Sequence, residues 1–567
     1  MYFSLKKIRF LLRPETGRIL TAVISTFIFL FALAAMGQDN PDQSSGSSRS
    51  KHITPEMLEA QNATIGKIFI ENQNVFDLDN PLENRWLFRI ANALHIRTRP
   101  QVIRRQLLFT EGEVYSAQDI EESARILRSN SYIVDATIEP VRYEDGVVDL
   151  NVKTRDVWTI NVGTSFGRHG GANSGGFELE EENLLGTGTS VTANYKATVD
   201  RDIKALSIAN KHIGGSLYEA AITYADNSDG YERFIRLGQP FFSLDSRNSL
   251  GGSALSAKRT DALYDRGKIV TEFDHKLAHY DMKIGWSRGR RDGWTRRLTT
   301  GVIYDDHRFT PVPDDAMSVT VLPRDRKFLF PYLGFEIIED RYETVSNFNR
   351  IHETEDLHLG IRFSFKFGYS NKAAGSSDSG LHFSGAFSNG LRLSENGTIL
   401  FGGLLGGRRV SGNSENIRFS AYSNYHLRQS SHWMFYAGLK GIVGNNLDRD
   451  NQLLLGGDSG LRGYPLRYQG GNAKALLTIE QRVFTDWYPF RLFRVGGAVF
   501  FDAGRTWGHN PVGAENLGLL RDVGIGLRIG NSRSGIGRMI HLDLAFPLDG
   551  DSDIKGMQWL VETKIGF

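Results

Sequence analysis

Period-two alternation, carried in long segments to the last residue, constrains this chain more than any other feature. In the final segment Met557, Trp559, Val561, Thr563, Ile565 and Phe567 alternate with Gln558, Leu560, Glu562, Lys564 and Gly566. Ile540, Leu542, Leu544 and Phe546 alternate with His541, Asp543 and Ala545, and Val523, Ile525, Leu527 and Ile529 with Gly524, Gly526, Arg528 and Gly530. Ala475, Leu477, Ile479, Gln481 and Val483 alternate with Lys474, Leu476, Thr478, Glu480 and Arg482. Successive side chains of a strand point to opposite faces, so each segment has one greasy face and one small or polar face. A soluble sandwich shares that pattern. Segment length near the ~9–11 residues that cross a bilayer at a tilt favours a membrane. So does the aromatic end, Phe567, and so does the same texture throughout the chain from Trp158 onward. A closed barrel satisfies every backbone group in lipid and leaves no open edge. The fold class is therefore mainly β. At roughly 25 residues per strand and loop, 158–567 predicts a transmembrane β-barrel of about 16 strands.

Bulk properties agree with export. The 567 residues include no Cys, which excludes a disulfide framework, a thiol nucleophile and thiolate metal sites. A net charge of +2 gives no push toward nucleic acid. Mean hydropathy is −0.31, as a barrel allows, since only every second residue of a strand meets lipid. Lys6, Lys7, Arg9, Arg13 and Arg18 precede a mostly apolar run from Ile19 to Ala35, and small residues follow. Residues 1–37 thus read as a cleaved export signal, with an uncleaved anchor as the alternative. Residues 38–62 read as a polar linker, Ser- and Gly-rich from Gln38 to His52.

Between these two parts, 63–157 mixes element types. Lys67 to Ile70 with Val75 and Phe76 read as a strand. Leu87, Phe88, Ile90, Ala91 and Leu94 have helical spacing. Pro100 stands at a helix start, and Ser116 with Asp119 resembles a capping box ahead of Ile120, Ser123, Ala124 and Leu127. Ile133 to Tyr143 and Val148 to Val152 flank Glu144, Asp145 and Gly146 as a hairpin. A small α+β domain, one sheet with helices on one face, is the economical packing.

One loop stands out. Gly456 to Pro465 reads GGDSGLRGYP, with Arg462 between Leu461 and the pair Gly463-Tyr464. Glu480 and Arg482 lie on the polar face of the strand that follows. In the next strand Asp502 shares a face with Phe500 and Gly504, opposite Val499 and Phe501. Leu461-Arg462-Gly463-Tyr464 resembles the loop signature of the BamA/TamA superfamily of outer-membrane assembly and translocation proteins. Phe500-Phe501-Asp502-Ala503-Gly504 is similar to that family's F-x-D-x-G strand, and Glu182 to Gly188 to a pattern near its first barrel hairpin. The front domain resembles its polypeptide-transport-associated (POTRA) domain, present here once, where the core assembly member of the family carries several.

The resemblance implies a loop tucked into the barrel, its arginine paired with a lumenal acid. Asp502 is the expected partner and Glu480 the second candidate, with Gly463 allowing the turn and Tyr464 packing on the wall. Trp559, Ile565 and Phe567 would form the terminal assembly signal. A seam between the first strand (about Trp158 to Phe166) and the last (Met557 to Phe567) would offer edges to an incoming strand, as would Ile133 to Tyr143 in the front domain. The implied location is the bacterial outer membrane, with the front domain in the periplasm. The implied partners are outer-membrane lipids, unfolded client polypeptides and accessory envelope proteins. No enzyme chemistry, cofactor, metal or nucleic acid is expected. A passive channel and a structural surface antigen or adhesin are the alternatives.

Other motifs read as structural. Gly457-Asp458-Ser459-Gly460 is like a serine-protease loop but lies beside the arginine motif. Gly524, Gly526 and Gly530 lie on a strand with no helix after it. His352-Glu353 opens like a zinc-protease motif, but Asp356 stands where the second His should be; His307, His352 and His358 read as loop or lumen residues. Arg288, Arg290 and Arg291 read as a solvated turn, with lipopolysaccharide phosphates the other partner they would suit.

Overall fold

The computed structural model describes residues 53–567 apart from 314, 514–516 and 534–537. The expected export signal and most of the expected linker lie outside the described residues. The front domain begins earlier than 63. Thr54 caps a short helix, α1 (Pro55–Ala60), with Pro55 in its first turn. Leu58 of α1 is fully buried in the domain core. Burial of such a side chain contributes about 1.5–3 kcal/mol, so α1 belongs to the domain and the linker ends before it.

Then come β1 (Thr64–Gln73), α2 (Trp86–Leu94), α3 (Pro100–Arg104), α4 (Ala117–Arg128), β2 (Ile133–Glu144) and β3 (Val147–Asp156). The sheet order is β1-β3-β2, with β1 parallel and β2 antiparallel to β3. Asp145 and Gly146 both take positive φ in the two-residue turn between β2 and β3, as a tight hairpin of right-handed twist requires. The Ser116 side chain accepts the Asp119 N–H, which starts α4. Ile65, Ile103, Leu127, Val148, Leu150 and Val152 close the core. The edge position leaves β2 with one neighbour in this sheet.

Barrel strands follow almost at once: β4 (Ile160–His169), β5 (Ala172–Glu181), β6 (Thr189–Ala197), β7 (Asp202–Asn210), β8 (Glu219–Asn227) and β9 (Gly230–Gln239). Longer strands come next: β10 (Asn248–Asp265), β11 (Lys268–Arg291), β12 (Trp294–Pro311) and β13 (Arg326–Glu339). A small hairpin, β14 (Tyr342–Ser346) and β15 (Thr354–His358), interrupts before β16 (Arg362–Ser370), β17 (Gly380–Ser394), β18 (Gly397–Val410), β19 (Asn413–Arg428) and β20 (Trp433–Asn445). A second, β21 (Leu453–Leu455) with β22 (Gln469–Gly471), precedes β23 (Ala473–Phe484), β24 (Phe493–Trp507), β25 (Leu520–Asn531), β26 (Arg538–Pro547) and β27 (Gln558–Ile565).

Among the described residues twenty of these strands close one antiparallel cylinder, and the two hairpins stand apart from it. The expectation of about 16 strands is too low. Links such as Arg266-Gly267, Asp292-Gly293 and Ser411-Gly412 are two residues long, and β4 to β9 are only nine or ten residues each. Strand and link together therefore use less chain than a barrel with long loops would.

The outer face carries exposed Val162, Leu206, Ile222, Met282, Leu404, Val499 and Ile525, spread around the whole cylinder. Soluble monomers rarely expose contiguous apolar patches beyond a few hundred Å². A closed wall greasy on its outside suits lipid. No helix among the described residues is long and apolar enough to cross a membrane.

Candidate functional site

After β20 the chain turns inward from the barrel end far from the front domain. Leu455, Leu461, Tyr464, Tyr468 and Leu520 pack into a buried cluster. This apolar anchor holds Arg462 inside the lumen. Arg462 Nε donates to Asp502 Oδ2 at 2.7 Å and Nη2 donates to Oδ1 at 3.1 Å, a two-pronged pair. Nη1 lies 3.0 Å from Glu480 Oε1 and 3.5 Å from Asp543 Oδ2. The guanidinium plane stands over the Phe500 ring, 3.3 Å from its centroid. Thr478 Oγ1 donates to Asp502 Oδ1 at 2.8 Å, which steadies the acceptor. A buried guanidinium is tolerated only with partners on every side, and here both acids named from the sequence meet it.

Gly463 acts differently from the expectation. Its φ is not positive; Gly460 supplies the left-handed turn, at +113°. A Cβ on Gly463 would lie 2.7 Å from Asp522 Cβ and 3.0 Å from Pro547 N. The glycine permits close approach to the wall, and its N–H donates to Asp522 Oδ2 at 3.0 Å. Tyr464 is fully buried, and its hydroxyl donates to the Arg521 carbonyl at 2.7 Å.

The sequence reading missed Asp522 and Asp543 as partners, and it missed the arginines that balance the acids. Arg482 Nε donates to Glu480 Oε2 at 2.8 Å, and Arg528 pairs with Asp543. The signal was present, since all four lie on the polar faces of alternating strands. Which strands lie opposite the loop is set by barrel closure. Gly524 and Gly526 make room here. A Cβ on the first would strike the Phe500 ring, and one on the second would strike the Arg528–Asp543 pair. Gly504 likewise leaves space for Leu455 and Leu461. Phe501 stands on the opposite face from Phe500 and Asp502.

The last strand meets the first weakly. Among the described residues β27 and β4 are matched at one position, Val561 opposite Arg168. The shortest other pairings in the barrel run over seven residues. Trp559 covers this seam, with Phe166 6.0 Å from its ring and the Arg168 guanidinium 4.7 Å away. Strand β4 starts at Ile160 rather than at Trp158, because Trp158 N–H bonds to Arg533. Phe567 does not extend the last strand. β27 ends at Ile565, and Gly566 (φ +85°) turns the chain into the lumen. There Phe567 packs on Phe484 at 4.8 Å, and its N–H donates to the Asn349 carbonyl at 2.8 Å. His541 Nε2 meets the Gly566 carbonyl at 2.8 Å. Alternation had placed Phe567 on the greasy face with Ile565 and Trp559; one positive-φ glycine reverses that.

Asn349 belongs to the tip of the β14–β15 hairpin, whose Phe348, Ile351 and Leu357 join Met434, Phe484 and Met539 in a lumenal core. The base of the hairpin is gripped by the front domain. Arg128 of α4 donates to both oxygens of Asp356 (2.8 and 2.6 Å), and Arg125 stands 4.1 Å over the Tyr342 ring. One contact chain thus runs from α4 through the hairpin to the end of the seam strand.

Arg290 is not a solvated residue. Its side chain is 6% exposed and lies within 2.7–3.3 Å of Asp119, Glu122, Asp245 and Asp340. It pins α4 to the barrel rim at the front-domain end. Asp119, Glu122 and Asp245 are close enough together to hold a cation, but Arg290 already supplies the counter-charge. Burial pushes the Glu122 carboxyl up from its ordinary range, against the Leu244 N–H and Arg290. Glu182 and Asn183 are buried at the turn after β5, where Asn183 Nδ2 donates to Thr98 Oγ1 of the front domain at 2.7 Å. Leu184, Leu185, Gly186, Thr187 and Gly188 complete that turn. Ser459 staples its own loop by accepting the Gly456 N–H, and His307 Nδ1 meets His275 Nε2 at 2.9 Å.

No protein-family model and no curated protein matches the chain. Solved structures similar to it include BamA from Haemophilus ducreyi lacking POTRA domains 1–3 (15% identity, 88% of this chain and 85% of that one, TM-score 0.40). CdiB from Acinetobacter baumannii is similar at 12% identity, over 89% of this chain and 73% of that one, with TM-score 0.45. CdiB from Escherichia coli gives 13%, 88%, 76% and 0.44 in the same order. These likenesses are distant in sequence and loose in superposition, and the barrel, the arginine loop and the seam stand on their own geometry.

Proposed function

We propose that this chain is an outer-membrane protein that inserts or translocates other polypeptides, its front domain receiving them as a POTRA domain and its barrel opening at the β4–β27 seam. The single backbone match at Val561 and Arg168 carries the reading. Two under-paired strands offer hydrogen-bonding edges to an incoming strand, and edge β2 offers another in the front domain. The docked Arg462 loop would brace the wall of β23 to β26 beside the seam. The hairpin gripping Phe567 would hold the closed state and link it to the front domain. Against a passive channel, the lumen is occupied from both ends, by the arginine loop and by the β14–β15 hairpin.

The test is comparative outer-membrane and secreted proteomics of a deletion strain, complemented with wild type. Loss of one or more outer-membrane or secreted proteins is expected. An unchanged proteome would sink the proposal and favour a surface antigen. Open-pore conductance that survives removal of 456–465 would favour the channel.

A further inference from the structure

Helix α2 has its apolar face turned away from its own domain. Trp86, Leu87, Ile90 and Leu94 recur at helical spacing and are 68, 56, 48 and 65% exposed. The opposite face holds the domain: Phe88 stacks on Phe76 at 4.2 Å, and the Asn92 side chain donates to the Phe76 carbonyl at 2.8 Å. The helix is therefore well anchored, and its greasy stripe is left exposed by the described residues. No Asp or Glu occurs from 84 to 110, while Arg85, Arg89, Arg97 and Arg99 flank the stripe.

The position of α2 names the partner. Just after it, Thr98 and Arg99 bond to the barrel turn between β5 and β6: Arg99 N–H donates to Gly186 at 3.0 Å and Arg99 Nε to Leu185 at 3.1 Å. In that turn Leu184 and Leu185 are exposed, and Ile160 and Val162 of seam strand β4 are exposed on the greasy outer wall. Asp156, four residues before Ile160, accepts from Thr98 N–H at 2.7 Å and meets His95 Nε2 at 3.1 Å. The apolar stripe of α2 thus lies at the edge of the barrel's lipid-facing belt. A basic, apolar-faced helix at such an edge has the composition of one that lies in a headgroup layer.

We propose that α2 is an interfacial helix, seated in the phospholipid leaflet on the front-domain side of the membrane, beside strand β4. Its arginines meet lipid phosphates, and Trp86 and Leu87 enter the acyl boundary. The front domain is then held against the bilayer at the seam. This assignment does not depend on the transport reading, because the test reads lipid contact alone.

The absence of native Cys allows a direct test on the full chain. Ile90→Cys and, separately, Glu139→Cys on exposed β2 are labelled with an environment-sensitive fluorophore. Each protein is reconstituted into vesicles of phosphatidylethanolamine and phosphatidylglycerol, 3:1, with and without spin-labelled phospholipid. The expected result is a blue-shifted emission at position 90 and lipid quenching several-fold greater than at position 139. Adding Arg85→Glu and Arg89→Glu should reduce it. Equal quenching at the two positions would overturn the proposal. So would shielding of position 90 that depends on protein density, which means a second copy, or that needs an added unfolded polypeptide, which means a client.

Discussion

At the residue scale, the site depends on one guanidinium with more than one partner. Removing Arg462 leaves buried Asp502 without its cation and takes one of two cations from Glu480 and from Asp543, which keep Arg482 and Arg528. Breaking a buried pair from one side costs about 3–5 kcal/mol, enough to undock a loop but small against a closed barrel. Arg462→Ala should therefore abolish complementation while the barrel still resists unfolding in detergent on unheated gels. Arg462→Lys should fall between, because an ammonium cannot grip both Asp502 oxygens. Wild-type activity from Arg462→Ala would refute the lock. Gly463→Ala makes a sharper case, since it changes no charge. Its methyl group meets Asp522 Cβ and the Pro547 backbone, so the loop should become protease-sensitive in the folded barrel. Unchanged protection would show that the wall can yield.

At the element scale, the informative pairing is β4 with β27. Because the chain has no Cys, Arg168→Cys with Val561→Cys yields one possible disulfide, at the one matched position. Oxidised protein should lose activity, and reductant should restore it. Full activity of a completely crosslinked sample would mean that the seam need not open. The same logic applies to the end of the strand. Gly566 can turn Phe567 inward only because its φ of +85° is easy for glycine. Gly566→Val should return the terminus to the outside and free the β14–β15 hairpin, which would be read as increased pore conductance.

At the scale of the whole molecule, the front domain and barrel are joined by charge. Arg290, inside four carboxylates, and Arg128 on Asp356 place α4 on the rim and on the hairpin. Arg290→Glu would bring a fifth carboxylate into that cluster. The front domain should then swing free, with the largest increase in hydrogen exchange in α4 and in 342–358. An unchanged exchange pattern would show that the remaining contacts suffice.

Asp502 and Glu480 were expected as partners of Arg462 through the family resemblance, whereas the sequence alone determined the mainly β class of fold and the hairpin at Asp145-Gly146. Those features are local or periodic: alternation names the faces of a strand, and turn residues name its ends. Strand number was not legible, since short links use little chain and closure depends on every pairing at once. Asp543 was legible on the polar face of its strand but not as a partner, and Asp522 was not singled out, because only the closed cylinder sets β25 and β26 opposite the loop. The inward turn of Phe567 and the burial of Arg290 needed tertiary structure for the same reason. A glycine's φ and a charge's neighbours are chosen by contacts far away in the chain, here Asn349 and helix α4, and no pattern along the sequence carries them.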